Sequence, residues 1–259
     1  MYWKMSFEER QQRIAHYLHK VEFASLEELA KHVDASVSTV RRDLTTLEAT
    51  GALKRTHGGA RLLAPPTDEF IFSARDTHQL EEKEVIGKAC ADLIQPGQTV
   101  IIDAGTTTYH VARYLEEKAP HVITNSLPVA NLFAGANRLE VVVTGGVIYP
   151  KLGVLVGPLT VEAMKTMHAD VAILSGGGIS LEGVSNSHGL LIDIQRAMIH
   201  AAHKVIFCFD YTKFGRQSVL PLCGLDCIDT IVTDSNAPRG LVNQLRKKNI
   251  EVIVAKSPR

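Results

Sequence analysis

The stretch Ser36-Val37-Ser38-Thr39-Val40-Arg41-Arg42-Asp43-Leu44-Thr45-Thr46-Leu47 decides how the rest of the chain is read. Ser36 suits an N-cap, because its hydroxyl can accept from the backbone N–H of a residue two or three further on. Val40, Leu44 and Leu47 recur at i, i+4 and i+7 and so form one buried stripe of a helix. Val37, Ser38, Arg41 and Arg42 fall off that stripe, toward the helix's leading end and its free face. Small polar residues and two adjacent arginines there suit the DNA major groove, where Arg reads guanine bidentately or grips phosphate. An ordinary amphipathic surface helix with a solvated Arg pair would carry the same twelve residues, so the flanking chain has to decide.

Upstream, Phe7 to Lys20 reads as a helix with Ile14, Tyr17 and Leu18 as its apolar stripe and Ser6 as a cap. Ser25 opens a second helix, and Glu28 three residues later completes the capping-box pattern; Leu26, Leu29, Ala30 and Val33 supply the buried face. Asp34-Ala35 is a tight connection into the Ser36 helix, which makes a helix-turn-helix with the second helix as reader. Downstream, Gly51 reads as a C-cap. Two short runs, 52–56 and 60–63, flank His57-Gly58-Gly59 and predict a β-hairpin. Three helices and a basic hairpin make a winged helix, over residues 1–63. The DNA-binding candidates are then Ser36, Val37, Ser38, Thr39, Arg41 and Arg42 on the reader, with Lys54, Arg55, His57 and Arg61 on the wing. Wing charges on phosphate position a protein without reading sequence.

Composition agrees with a globular protein: 259 residues, 45% of them hydrophobic, are enough for one large domain or two smaller ones. The longest apolar runs, such as Val205 to Phe209, are strand-sized and far short of a membrane span. No leader is expected, since Met1 to Phe7 is followed at once by Glu8, Glu9 and Arg10, and the expected location is cytoplasmic. Cys90, Cys208, Cys223 and Cys227 are scattered, and Cys223 and Cys227 have no second Cys or His pair nearby. Reduced thiols, with no metal and no cofactor, are the reading. Charge balances at 28 against 28, so overall basicity does not announce nucleic acid. Between Ser36 and Arg61, however, five basic residues face Asp43 and Glu48, a local excess of three. Such a local footprint is what a small DNA-binding module needs.

Ala64-Pro65-Pro66-Thr67 breaks regular structure and marks a boundary, with residues 64–80 expected as linker. From Ser73 the linker is expected to pass into a helix rich in Glu and Lys. Over 81–259 short β-branched runs alternate with helical segments. The predicted strands are Thr99–Asp103, His121–Thr124, Glu140–Thr144, Asp170–Ser175, Lys204–Asp210, Asp229–Thr233 and Glu251–Val254. Strands alternating with helices imply a mostly parallel, Rossmann-like sheet covered on both faces. The expected fold is therefore α/β, with a winged helix-turn-helix ahead of an α/β effector domain.

Ligands of open α/β sheets bind beyond the carboxyl ends of strands. The first predicted strand ends in Asp103-Ala104-Gly105-Thr106-Thr107-Thr108 and a helix from Tyr109. A glycine, three hydroxyls and a helix N-terminus are the parts of a phosphate cradle, and equally of a plain polar turn. Thr124-Asn125-Ser126, Gly145-Gly146 and Gly176-Gly177-Gly178 end the next three strands, and four such turns on one sheet can line one crevice. After the Lys204 strand, Asp210 and Lys213 suit a polyol and a phosphate, or an exposed turn with an Asx cap.

These residues resemble the DeoR family of transcriptional regulators over nearly the whole chain. The resemblance rests on Glu9-Arg10-Gln11-Gln12-Arg13-Ile14, on Thr39-Val40-Arg41-Arg42-Asp43-Leu44 after Ser36, and on Arg55-Thr56-His57-Gly58-Gly59-Ala60. Downstream it rests on Asp103 to Thr108, Thr124-Asn125-Ser126, Gly157-Pro158-Leu159 and Thr212-Lys213-Phe214-Gly215. It implies a C-terminal domain related to ribose phosphate isomerase, operator DNA released by a phosphorylated sugar or sugar derivative, and repression of a carbohydrate gene cluster. The chain departs from the family at Gly183-Val184-Ser185-Asn186-Ser187, at Gln195 where a lysine is usual, and at Phe209-Asp210-Tyr211-Thr212-Lys213. Losing that lysine removes a phosphate contact. Palindromic operators need two readers, so a dimer or higher even homo-oligomer is expected. The rival reading is an aldose–ketose isomerase, but the Gly176–Gly178 turn has no carboxylate and position 195 is Gln, which leaves no evident general base. A sugar-phosphate sensor acting mainly on another protein is a third reading, and the basic wing argues against it.

Overall fold

The structure, a computed structural model, describes residues 7, 10–11, 13–14, 17–18, 23–49, 53–56, 58–62, 72–118, 120–136 and 139–256. The chain divides into two units, Met1–Glu69 and Phe70–Arg259.

In the first unit the described residues between Phe7 and Leu18 are helical. They precede β1 (Phe23–Ser25), α1 (Leu26–His32), α2 (Val37–Ala49), β2 (Leu53–Thr56) and β3 (Gly59–Leu62). Ser25 caps α1 as its sequence predicts: its hydroxyl accepts from Glu28 N at 3.2 Å, and the Glu28 carboxylate accepts from Ser25 N at 2.8 Å. The chain turns at Asp34, whose φ of 47° is one that Asp tolerates better than most residues. Ser36 then accepts from Thr39 N at 3.2 Å and starts α2. Val40 and Leu44 are fully buried with Ile14, Leu18, Leu29 and Leu53. Burying each such aliphatic side chain contributes roughly 1.5–3 kcal/mol.

The wing holds one strand more than the sequence reading gave. β1 pairs antiparallel with β3, and β3 with β2, in the order β1-β3-β2. Gly59 is not part of the turn but the first residue of β3, opposite Thr56. A Cβ on it would sit 2.1 Å from Ala24 O, so only glycine lets β1 close on the hairpin. The expected C-cap at Gly51 and the Ala64–Thr67 break lie outside the described residues.

The second unit begins with α3 (Phe72–Thr77) and α4 (Leu80–Ala91), so a helix stands inside the stretch expected as linker. There follow β4 (Thr99–Ile102), α5 (Thr106–Ala112), β5 (His121–Thr124), α6 (Leu127–Phe133), β6 (Val141–Val143), β7 (Val147–Tyr149) and β8 (Val154–Val156). Then come α7 (Pro158–Lys165), β9 (Ala169–Leu174), β10 (Gly178–Ser180), β11 (Gly183–Asn186), α8 (Gly189–His200) and β12 (Ala202–Phe209). β13 (Leu220–Cys223), β14 (Thr230–Thr233), α9 (Arg239–Arg246) and β15 (Glu251–Val254) complete it. All seven predicted strands fall in one wholly parallel sheet of order β15-β14-β12-β9-β4-β5-β6.

Successive residues of a strand point to opposite faces, and the two faces here carry separate cores. Val100, Ile102, Val171, Ile173, Ile206 and Cys208 pack with α4, α5 and α6. Ile101, Ala172, Leu174, Val205 and Phe207 pack with α7, α8 and α9. That is why these strands read as unbroken apolar runs rather than alternating ones. The strand order reverses between β4 and β9, because β4 is followed by β5 on one side and β9 by β12 on the other. Open α/β sheets hold ligands at such a switch point.

Candidate functional site

On the reader helix, Ser36, Ser38, Arg41 and Arg42 are exposed, and Val37 and Thr39 are half-buried. Asp43 and Glu48, the two acids counted against the basic stretch, are both engaged. Asp43 is buried and accepts from Arg10 Nε at 2.5 Å and a second guanidinium nitrogen at 3.1 Å. Glu48 accepts from Arg55 Nε at 2.6 Å and from Arg55 N at 2.9 Å, and Arg55 also donates to Thr45 Oγ1 at 2.8 Å. Arg55 is therefore folded back onto α2, whereas Lys54 on the same strand is exposed. Arg61 pairs with Lys54 across the hairpin; His57 lies outside the described residues. With the acids occupied, Arg41 and Arg42 stand on an open polar face at the leading half of the helix.

In the second unit the switch point is a chain of buried polar groups. Asp103, just past β4, accepts from Ala104 N at 2.8 Å, from Ser175 N at 3.4 Å and from Gln195 Nε2 at 2.7 Å. Gln195 also donates to Ser175 O at 3.1 Å and accepts from Asn186 Nδ2 at 2.9 Å. Burial pushes the Asp103 carboxyl up, and the bonds from Gln195, Ala104 and Ser175 oppose the rise. Two cations that the sequence reading missed lie nearby, Arg75 in the field of Asp103 and Lys83 in that of Asp210. Arg75, on α3, is depressed by burial, and Asp103 and Asp210 oppose the shift. No hydrogen bond or ion pair holds its guanidinium among the described residues. Lys83, on α4, is buried and its Nζ donates to Arg75 O. Burial pushes its pKa down to about 8; Asp210 and Asp76 counter the fall, and Arg75 and Lys213 add to it. One signal could have found Lys83: it stands three residues before Ile86 and seven before Cys90, on the buried stripe of its own helix.

The other candidates divide. Asp210 is buried, caps a short 3-10 turn through Thr212 N at 3.0 Å, and acts on Arg75 and Lys83. Lys213 lies within reach of Lys83's charge. Asp234 beyond β14, also missed, accepts from Tyr211 N at 2.7 Å and is raised by burial. Thr108 donates to Gly105 O at 2.8 Å and Thr124 to Ile102 O at 2.7 Å, while Ser126 accepts from Val129 N at 3.3 Å, so these hydroxyls serve the fold. Thr106 and Thr107 are buried in the first turn of α5. Gly105 has an ordinary φ of −76°, and what restricts it is space: a Cβ would lie 3.2 Å from Ser175 Cβ and from Thr108 Oγ1. Asn125 donates to Leu155 O at 3.1 Å, and its buried Oδ1 has no partner among the described residues. A Cβ at Gly176 would meet Val184, one at Gly177 Ser218, and one at Gly146 Thr160. Those glycines admit neighbouring chain, and Gly145-Gly146 turns against α7, where Thr160 Oγ1 donates to Gly145 O at 2.8 Å. Among the described residues no group of three or more His, Cys, Asp or Glu could hold a metal. No helix among them is long and apolar enough to cross a membrane.

A reader helix with a wing, ahead of a parallel sheet with a charged switch point, is matched in two pieces by known families. The DeoR-like helix-turn-helix domain matches residues 10–65, and the DeoR C terminal sensor domain matches residues 78–235. The chain belongs to the DeoR family. Two DeoR-type relatives extend the match to nearly full length. The HTH-type transcriptional repressor GlcR of Bacillus subtilis is 32% identical over 95% of this chain and 96% of its own. The L-fucose operon activator of Haemophilus influenzae is 29% identical over 95% and 99%. Among solved structures, ribose 5-phosphate isomerase A of Methanocaldococcus jannaschii aligns with 51% of this chain and 53% of its own at 13% identity, with a TM-score of 0.38. As a DeoR-family member the chain is a sequence-specific DNA-binding transcriptional regulator with a sensor domain.

Proposed function

We propose that the chain represses a carbohydrate operon and that a phosphorylated sugar, held at the β4–β9 switch point, releases it from DNA. The observation that carries this reading is Arg75, a guanidinium beside Asp103, Asp210 and Lys83 that no carboxylate of the described chain bonds. Arg presents a rigid fork suited to phosphate, and Lys83 and Lys213 add charge on the same side. A sugar's hydroxyls find acceptors in Asp210 and in the Oδ1 of Asn125, which has no partner among the described residues. Thr106 and Thr107, with the backbone N–H groups of the first turn of α5, complete the phosphate side. Binding DNA with two half-site readers, the protein works as an even homo-oligomer in the cytoplasm.

Catalysis is not part of this reading. An isomerase needs a base free to take a proton from carbon, and both carboxylate oxygens of Asp103 are occupied by protein donors. The relatives' names include a repressor and an activator, so the sign needs its own measurement. The test selects operator DNA from a random library, then follows its release by fluorescence anisotropy with a panel of sugar phosphates and the matching free sugars. Release by a phosphorylated member alone is expected. Tighter DNA binding would reverse the sign, and equal response to free sugar would remove the phosphate from the reading. Ligand at about 100 times its dissociation constant should also stabilise the protein by roughly 2.7 kcal/mol.

A further inference from the structure

His110 stands where three helices of the second unit meet. It lies on α5, one turn beyond Thr106 and on the same face. Its backbone packs on Gly87 of α4, where a Cβ would come within 2.7 Å of His110 O. Its ring is buried and reaches α3, with Nε2 at 3.1 Å from Asp76 Oδ1. On the ring's other side the Arg113 guanidinium lies 3.4 Å from Nδ1. Burial lowers the pKa of the ring, Asp76 opposes the fall, and Arg113 and Lys83 add to it, so the ring is neutral at pH 7. A guanidinium can only donate, so Nδ1 accepts and the single ring proton sits on Nε2, aimed at the Asp76 carboxylate.

The helix at the other end of this bond needs a hold. α3 has six residues, too few to persist as a helix by itself, and none of them is buried. Phe72 meets Tyr109 edge-on at 5.5 Å and donates its N–H to Lys151 O at 3.1 Å, and Lys83 Nζ donates to Arg75 O. Arg75, next to Asp76 in the chain, carries the guanidinium that the reading above sets on phosphate. We propose that Asp76 and His110 are positioning residues for the effector, their hydrogen bond fixing α3 against α5 so that the Arg75 fork and the first turn of α5 close on one phosphate. The inference rests on the phosphate reading and adds the two side chains that hold the fork in place. Binding geometry has to be kept to within about 0.5 Å by such supporting bonds. Charge points the same way. Asp76 lies in the field of Lys83, and an anion there repels a phosphate, so what the carboxylate contributes is the hold on His110.

Phosphorus NMR titration of the full chain with inorganic phosphate tests this, on Asp76→Ala and Asp76→Asn, each alone and with Arg75→Met, with folding checked by circular dichroism. Both variants remove the same charge, and only Asn keeps an acceptor for the Nε2–H of His110. Asp76→Asn should bind phosphate at least as tightly as the wild type, and Asp76→Ala about 3–10-fold more weakly than Asp76→Asn, the worth of one hydrogen bond. Beside Arg75→Met that difference should vanish, because the pair acts through Arg75. Equal binding by Ala and Asn, or a difference that survives the loss of Arg75, would overturn the positioning role and leave the phosphate reading standing. A wild type that binds no phosphate, or Arg75→Met binding it as tightly as the wild type, removes the phosphate reading and this inference with it. Should Asp76→Ala fail to fold, hydrogen exchange on the wild type decides. Amides of 72–77 should gain protection when inorganic phosphate is added, and exchange indifferent to phosphate would sink the proposal.

Discussion

Gln195 donates its side-chain amide to Asp103 at 2.7 Å, and that single buried bond ties α8 to the end of β4. The same amide group serves Ser175 O and receives Asn186 Nδ2, so one residue satisfies three buried polar neighbours. Replacing Gln195 by Leu leaves all three short of a partner, and each buried polar group so stranded costs about 1–3 kcal/mol, more for a charge. The sign with pH follows from Asp103, whose carboxyl is raised in the folded state. A raised carboxyl keeps its stability at low pH and loses it as pH climbs through the folded value. Without Gln195 the rise is larger, so the deficit of Gln195→Leu should be greater at pH 8 than at pH 5. Thermal melts at the two pH values check this, and an equal deficit would mean that Asp103 does not feel the amide.

On the reader helix, Arg41→Ala and Arg42→Ala should each weaken specific operator binding, a good bidentate base contact being worth roughly 1–3 kcal/mol. Lys54→Ala should weaken specific and random DNA alike and make the salt slope shallower by about one unit. Arg55 is held by Glu48 at 2.6 Å, so Arg55→Ala should change the salt slope less than Lys54→Ala does. Anisotropy titrations at several salt concentrations separate these outcomes. Identical slopes for the two wing variants would show that Arg55 leaves Glu48 when DNA arrives.

The buried carboxylate of Asp43 has Arg10 as its partner, with side-chain exposures of 2% and 15%. Losing a bidentate, charge-assisted pair with a buried carboxylate costs roughly 1.5–3 kcal/mol. Asp43→Ala should therefore lower the melting of the first unit and leave effector-induced stabilisation of the second intact. Calorimetry that showed a single transition shifted as a whole would refute the separation.

How much of this could be read from the residues alone follows from whether a run alternates with helices. The seven sheet strands were legible because they are β-branched runs set between helices, and His121–Thr124 and Glu251–Val254 have the predicted bounds. The strands missed, β1, β7, β8, β10, β11 and β13, have three or four residues each and lie outside the main sheet. They pair in small antiparallel sheets, so the strand–helix alternation that marked main-sheet strands of the same length does not flag them. In the site, Asp103 and Asp210 were legible because strand ends attract attention. Arg75 was not, because nothing local distinguishes an Arg on a six-residue helix from an Arg in a linker. Lys83 was readable in principle, as a charge on an apolar stripe. The glycines at 176 and 177 looked like ligand turns, yet what they admit is Val184 and Ser218, which only tertiary packing reveals.

The last prediction concerns the charge proposed to meet the effector. Arg75→Met and Lys83→Met should each weaken binding of a phosphorylated sugar by about 10–100-fold, the loss of a charge-assisted hydrogen bond worth roughly 1.5–3 kcal/mol. Operator binding without ligand should persist in both. Lys83 adds a pH signature, because burial lowers its pKa to about 8. A lowered ammonium binds fewer protons folded than unfolded between about 8 and 10.5, so the wild type should gain stability as pH rises through that window. Ligand affinity runs the other way. A sugar phosphate is close to a dianion above about pH 7, so further base removes only the lysine's charge, and affinity should fall as pH passes 8, by about tenfold at pH 9. Calorimetric titration at pH 7.5 and 9 measures the fall, and Lys83→Met should abolish it while keeping a weakened, pH-independent binding. If Arg75→Met and Lys83→Met bind the wild type's ligand unchanged, the phosphate does not sit at the switch point.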